Sequence, residues 1–107
     1  MISVAHARTM AAYNRWMNDK LYACAAGLTD AVRKEDTGAF FKSIHGTLNH
    51  LLLADRLWMG RITGVPFKAG SLAEELAADF DALRAERRRT DESISGWADG
   101  LTDARLA

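Results

Sequence analysis

The sequence predicts an all-α fold, an up-down bundle with three long helices. The chain of 107 residues contains a single proline, Pro66, and it is rich in alanine and leucine, which favour helix. Apolar residues recur at spacings of three and four, whereas the alternation typical of strands is missing. A chain of this length forms one domain, which we assign to residues 1–107.

The amino-acid composition indicates a globular protein and excludes several other classes. Hydrophobic residues make up 49% and charged residues 26%, and fourteen basic residues balance fourteen acidic ones. This composition is typical of a globular protein and gives no electrostatic reason for binding nucleic acid or an anionic membrane. The one cysteine, Cys24, excludes an internal disulfide and a cysteine-rich zinc module. Because the chain shows neither a signal peptide nor a span of about 20 apolar residues, we expect a cytoplasmic protein.

The first helix is predicted over residues 4–26. Ser3 is a suitable N-cap, and Gly27 is well placed to end the helix in a left-handed conformation. One apolar stripe is predicted to face neighbouring helices. Its members are Met10, Tyr13, Met17, Leu21, Cys24 and Leu28.

The second long helix is predicted over residues 39–63, after a connection over 28–38 that holds a short helical turn at 30–34. Gly64 and Pro66 end it. Apolar side chains cover most of its circumference, so it should contact more than one partner. The third helix is predicted from the capping-box pattern Ser71-x-x-Glu74 to a stop at Gly100. Its arginine-rich run 84–89 is interpreted as a solvated face, with an anion-binding patch as the alternative.

Two kinds of polar residue stand out on the second helix. His45 and His50 are five residues apart, about 140° around a helix, so they do not form a ligand pair, and spacing alone favours a structural histidine at position 50. Asp55 lies on an apolar stripe and needs a partner if buried, for which Asn14 or Arg15 of the first helix are candidates. Cys24 and the tryptophans are predicted to be core residues. The tryptophans are Trp16, Trp58 and Trp97.

Two segments resemble a known family. Residues 12–22, AYNRWMNDKLY, resemble the first-helix signature Y-N-x-W-x-N-x-x-L of the DinB-like (DinB/YfiT) proteins. Residues 41–58, FKSIHGTLNHLLLADRLW, resemble that family's second-helix signature, and residues 79–84 resemble its third helix. The resemblance covers nearly the whole chain.

The resemblance implies a four-helix up-down bundle that is commonly dimeric, in a family of damage-inducible proteins and metal-dependent thiol transferases. The family's usual site holds a divalent cation, zinc or nickel among others, on three histidines, and the first of these maps onto His50. The other two belong to a C-terminal segment, and this chain resembles a member that lacks that hairpin and the fourth helix. We therefore expect an incomplete metal site, no tightly bound metal, and a homodimer that supplies the missing helix.

The sequence leads to two main functional hypotheses. The first is a divalent-metal-binding scaffold of the hydrolase or thiol-transferase kind, with His50 as a ligand and a small thiol as a possible substrate. The second is a non-catalytic helical dimerisation module. The sequence leaves open whether the protein is an enzyme and assigns no catalytic residue. DNA binding is a third and weaker possibility, since the net charge is zero and a recognition motif is missing.

Overall fold

A computed structural model describes residues 3–38, 41–65, 67–68 and 75–102. Its regular elements are four helices: α1 (Val4–Ala26), α2 (Asp30–Lys34), α3 (Ile44–Thr63) and α4 (Phe80–Asp99). The predicted all-α class is confirmed. Within the described ranges, no helix combines the length and the apolar character that crossing a bilayer requires.

Several helix ends lie where the sequence predicts them. Helix α1 has the predicted bounds, and the Ser3 hydroxyl accepts a hydrogen bond from the His6 amide at 3.0 Å. The predicted left-handed conformation of Gly27 is wrong: its φ is −72°, because its amide continues the last turn by donating to the Cys24 carbonyl at 3.2 Å. The short turn α2 also forms as predicted. Gly64 ends α3 with a φ of 80°, in the left-handed conformation that glycine adopts without strain.

Two helix starts differ from the prediction. Helix α3 begins at Ile44 because the Ser43 hydroxyl caps it, accepting from the Gly46 amide at 2.9 Å, and because Lys42 has a φ of 72°. Helix α4 begins at Phe80, where the Asp79 carboxylate accepts from the Ala82 amide at 2.9 Å. Residues 75–79 are not helical, and the predicted capping box at 71–74 lies outside the described residues, as do residues 39–40.

The long helices do not simply alternate in direction. Helix α1 is antiparallel to α4, since Arg8 contacts the end of α4 at Asp99 and Tyr22 contacts its start at Phe80. Helices α3 and α4 run in the same direction. The 20-residue α3 is about 30 Å long, and the connection 64–79, at up to about 3.3 Å per residue, is long enough to run back along it.

The core lies at the end of the bundle where α1 finishes and α3 and α4 begin. Its buried cluster consists of Tyr22, Ala25, Leu48, Leu52, Phe80 and Leu83. Arg33 of α2 closes this end. Its guanidinium donates to the carbonyls of Ala25, at 3.0 Å, and of Leu28, and lies 4.1 Å from the centre of the Phe80 ring. A buried cation thereby satisfies the exposed carbonyls at the C-terminus of α1.

The predicted packing face of α1 is wrong within a single chain. All members of the apolar stripe are exposed, Cys24 included. The face that packs on α4 has small and polar side chains such as Ala11, Asn14 and Asn18, together with Tyr22. The reason is that α4 presents a buried carboxylate, Asp91, which the asparagine amides satisfy.

Candidate functional site

Exposed large apolar side chains of α1 and α3 form an open apolar face. On α1 it consists of the stripe defined above, where Met10 is 52% and Met17 42% exposed. On α3 it consists of Leu51, Trp58 and Ile62, which are exposed as well and lie within about 40° of one another around that helix. The prediction that Trp16, Trp58 and Cys24 are core residues is therefore wrong for this chain by itself, whereas Trp97 is half-buried.

The two halves of this face meet at a groove between α1 and α3. Met10 of α1 and Ile62 of α3 form its rims, and Ile94 and Trp97 of α4 also line it. Its volume is about 440 Å³. We call it the α1/α3 groove.

Beneath the groove lies a buried polar network centred on Asp91. This carboxylate is 1% exposed and accepts from the Asn14 amide at 3.2 Å and the Asn18 amide at 3.1 Å. Arg87, also buried, donates to it through Nε at 3.0 Å and Nη2 at 2.7 Å. Burial raises the pKa of Asp91, and the Arg87 charge opposes that rise.

Asp55 is the member of this network that lines the groove. Its Oδ2 accepts from Arg87 Nη2 at 2.5 Å, and its side chain is 35% exposed. The prediction that Asn14 or Arg15 would be its partner is thus wrong, because α4 lies between the helices and supplies the guanidinium. The interpretation of 84–89 as a solvated face fails for Arg87 and holds for Arg88 and Arg89, which are exposed.

The predicted metal ligand His50 lies elsewhere. It is half-buried on α3, with its ring stacked on Phe41 at 3.7 Å between centroids, and it points about 120° away from the Ile62 side of the helix. His45 contacts Glu75, and His6 lines the groove, so the structure does not bring the three histidines together. Among the described residues, no three His, Cys, Asp or Glu side chains are arranged to hold a metal ion. One imidazole does not fit a mononuclear divalent-metal site, and the assignment of His50 stays a prediction.

Sequence reasoning missed a second polar cluster, at the start of α3. His45 is buried, with Nε2 2.7 Å from Glu75 Oε1. The buried Asn49 side chain accepts from the amides of Leu76 and Ala77, at 2.8 and 3.0 Å, and donates to the Ala77 carbonyl. These contacts fix the chain just before α4. The sequence signal for this cluster is Asn49, a polar residue next to Leu48 on the buried face of α3.

A family model described as DinB family matches residues 1–107. No curated protein and no solved structure shows a significant match to the chain.

Proposed function

The chain belongs to the DinB family, and we propose that it is a helical-bundle scaffold completed by self-association with a second copy. The open apolar face carries this proposal. The helical part of the α1 stripe, from Met10 to Cys24, is about 21 Å long at 1.5 Å per residue. Soluble proteins rarely leave a contiguous apolar surface of that extent uncovered.

The choice of a second copy rests on the pattern of the stripe itself. Helical stripes with apolar residues at spacings of three and four pack well against one another. A face that carries such a stripe can pair with itself about a two-fold axis.

The test is the mass in solution of a charged-stripe variant. Met17→Glu combined with Leu21→Glu places two carboxylates in the middle of the stripe. The matched control is Ala12→Glu combined with Ala23→Glu, which adds the same charge at exposed positions of α1 outside the stripe. Sedimentation velocity should give a dimer for the wild type and the control at micromolar concentration, and a monomer for the stripe variant. A wild-type monomer, or a stripe variant that stays dimeric, would contradict the proposal.

Metal binding through His50 is the second candidate, and family membership supports it. Since the described residues bring no three potential ligands together, the remaining ligands in this proposal come from another copy. Native mass spectrometry with added zinc or nickel should then show metal only on the dimer, lost in His50→Ala and kept in His6→Ala. Metal retained in His50→Ala would remove His50 from the site.

A further inference from the structure

We propose that the α1/α3 groove binds a small apolar amine, with the Asp55 carboxylate receiving its ammonium group. Every residue of the site comes from one chain, but Met10 lines the groove and also belongs to the stripe that a second copy would cover. A ligand and a second copy would therefore compete, so the titrations below use the Met17→Glu, Leu21→Glu protein, which keeps Met10 and Asp55. Three properties of the groove support the inference: its size, its lining and its charge.

The groove has the dimensions and lining of a small-molecule site. Its volume of about 440 Å³ falls within the range of about 300–1,000 Å³ that is usual for ligand pockets. Most of the lining residues are aliphatic or carry a thioether, and Asn14 and Asp55, which both belong to the network around Asp91 and Arg87, form the polar end. The apolar side chains are Ala7, Met10, Ala11, Met59, Ile62 and Ile94, and His6 and Trp97 complete the lining.

The charge at the polar end is an excess of carboxylate. Asp91 accepts from Asn14, Asn18 and Arg87, so its oxygens face only hydrogen-bond donors. Asp91 thereby receives most of the donor capacity of Arg87. Asp55 takes a single contact from Arg87 through Oδ2, and no other described residue donates to it. Two carboxylates therefore share one guanidinium, and the excess negative charge is at the partly exposed Asp55.

This arrangement selects among apolar ligands. An alkyl chain gains from leaving water for the groove lining whatever its head group. A carboxylate head group would be repelled by Asp55, and a hydroxyl would donate a hydrogen bond to the carboxylate without bringing a compensating positive charge. An ammonium gains a charge-assisted hydrogen bond in a partly desolvated site, and the Trp97 indole that lines the same groove favours a cation as well.

The test compares three probes of equal chain length: hexylamine, hexanol and hexanoate. Dissociation constants are measured at neutral pH by NMR titration. We expect hexylamine to bind about tenfold more tightly than hexanol, with hexanoate weakest. In Asp55→Asn the preference for amine over alcohol should fall to about one. Asp99→Asn, which removes an exposed carboxylate of α4 away from the groove, should keep it.

Met59→Trp fills the groove while retaining Asp55, and it should weaken all three probes together without unfolding the chain, as checked by circular dichroism. In the wild type, a second copy should weaken all three probes as the protein concentration rises and leave the amine preference unchanged, which separates this inference from self-association. Equal affinity of the Met17→Glu, Leu21→Glu protein for hexanol and hexylamine, or an undiminished amine preference once Asp55→Asn is added to that folded protein, would overturn the inference.

Discussion

The hydroxyl of Tyr22 is a polar atom buried in the core of the bundle. The side chain is 2% exposed and its hydroxyl has no hydrogen-bond partner in the part of the chain that the structure describes. Burial raises the pKa of Tyr22 from 10.0 to about 12, although the nearby Arg87 charge lowers it. The ring packs on Phe80 at 5.8 Å between centroids, so the residue is retained for packing rather than for hydrogen bonding.

Replacing Tyr22 by Phe should be neutral or slightly stabilising at pH 7, since it removes a buried polar atom that gains nothing in return. The two proteins should diverge in alkali. Above pH 10 the unfolded tyrosine loses its proton while the folded one keeps it until about pH 12, so the wild-type free energy of unfolding falls as the pH rises. The full effect is about 2 to 3 kcal/mol. Urea denaturation at pH 7, 9, 10 and 11 should show about half of this loss by the last point, since each pH unit between 10 and 12 costs about 1.4 kcal/mol.

Tyr13→Phe is the matched control, because Tyr13 is 56% exposed. It should leave the alkaline slope unchanged. A slope that survives in Tyr22→Phe would show that another group causes it.

Asp55 illustrates what the sequence can and cannot predict at the scale of a residue. A carboxylate on an apolar stripe indicates a buried polar contact, and the contact exists. Its partner could not be predicted, because Arg87 belongs to an arginine-rich run and only the position of α4 separates the buried arginine from its exposed neighbours.

At the scale of the helices, Gly64 and Gly96 have opposite conformational roles. Gly64 ends α3 with a φ of 80°, whereas Gly96 lies inside α4, and a Cβ added there would have no atom within 4 Å outside the helix's own backbone.

Alanine at the two positions should therefore have effects of opposite sign. Gly64→Ala forces a left-handed alanine and should cost about 1 to 2 kcal/mol of folding free energy. Gly96→Ala should stabilise the protein by about 0.5 to 1 kcal/mol, because it lowers the entropy of the unfolded chain. Chemical denaturation of both variants under the same conditions checks this, and a change of equal sign in both would contradict the assigned roles.

Local signals predicted the helices well and their packing poorly. Ser3 and Gly27 define α1, and Gly64 ends α3, since a cap acts within a few residues. The starts of α3 and α4 were not predicted correctly: the Ser43 hydroxyl and the Asp79 carboxylate cap them, and the contacts of Asn49 fix the chain just before α4. The face of α1 that packs was misassigned because its neighbour offers a carboxylate, which amphipathicity does not register.

For the whole molecule, the exposed Cys24 reports on the proposed association. It lies on the α1 stripe, so a second copy that covers the stripe would shield it. Reaction with a thiol reagent should slow as the protein concentration rises in the wild type and should stay constant in the Met17→Glu, Leu21→Glu variant. A rate independent of concentration in both proteins would place Cys24 outside the interface.

The candidate site was predictable only in part at this scale. Motifs identified the family and pointed to His50, and periodicity identified the α1 stripe. The groove was not foreseen, because it is formed where three helices from distant parts of the sequence meet. The Asp91 network likewise joins residues that are 73 and 77 positions apart.

The pairing of α1 with α4 also affects how the protein is made. A ribosome adds about 5 to 20 residues per second, so the 77 positions between Asn14 and Asp91 take roughly 4 to 15 s to synthesise at that rate. For most of that interval α1 has been synthesised, whereas the part of α4 that it packs on has not. The nascent chain thus offers both faces of α1 to the cell for seconds, far longer than the microseconds in which a helix forms, and a chaperone has time to bind before the bundle closes.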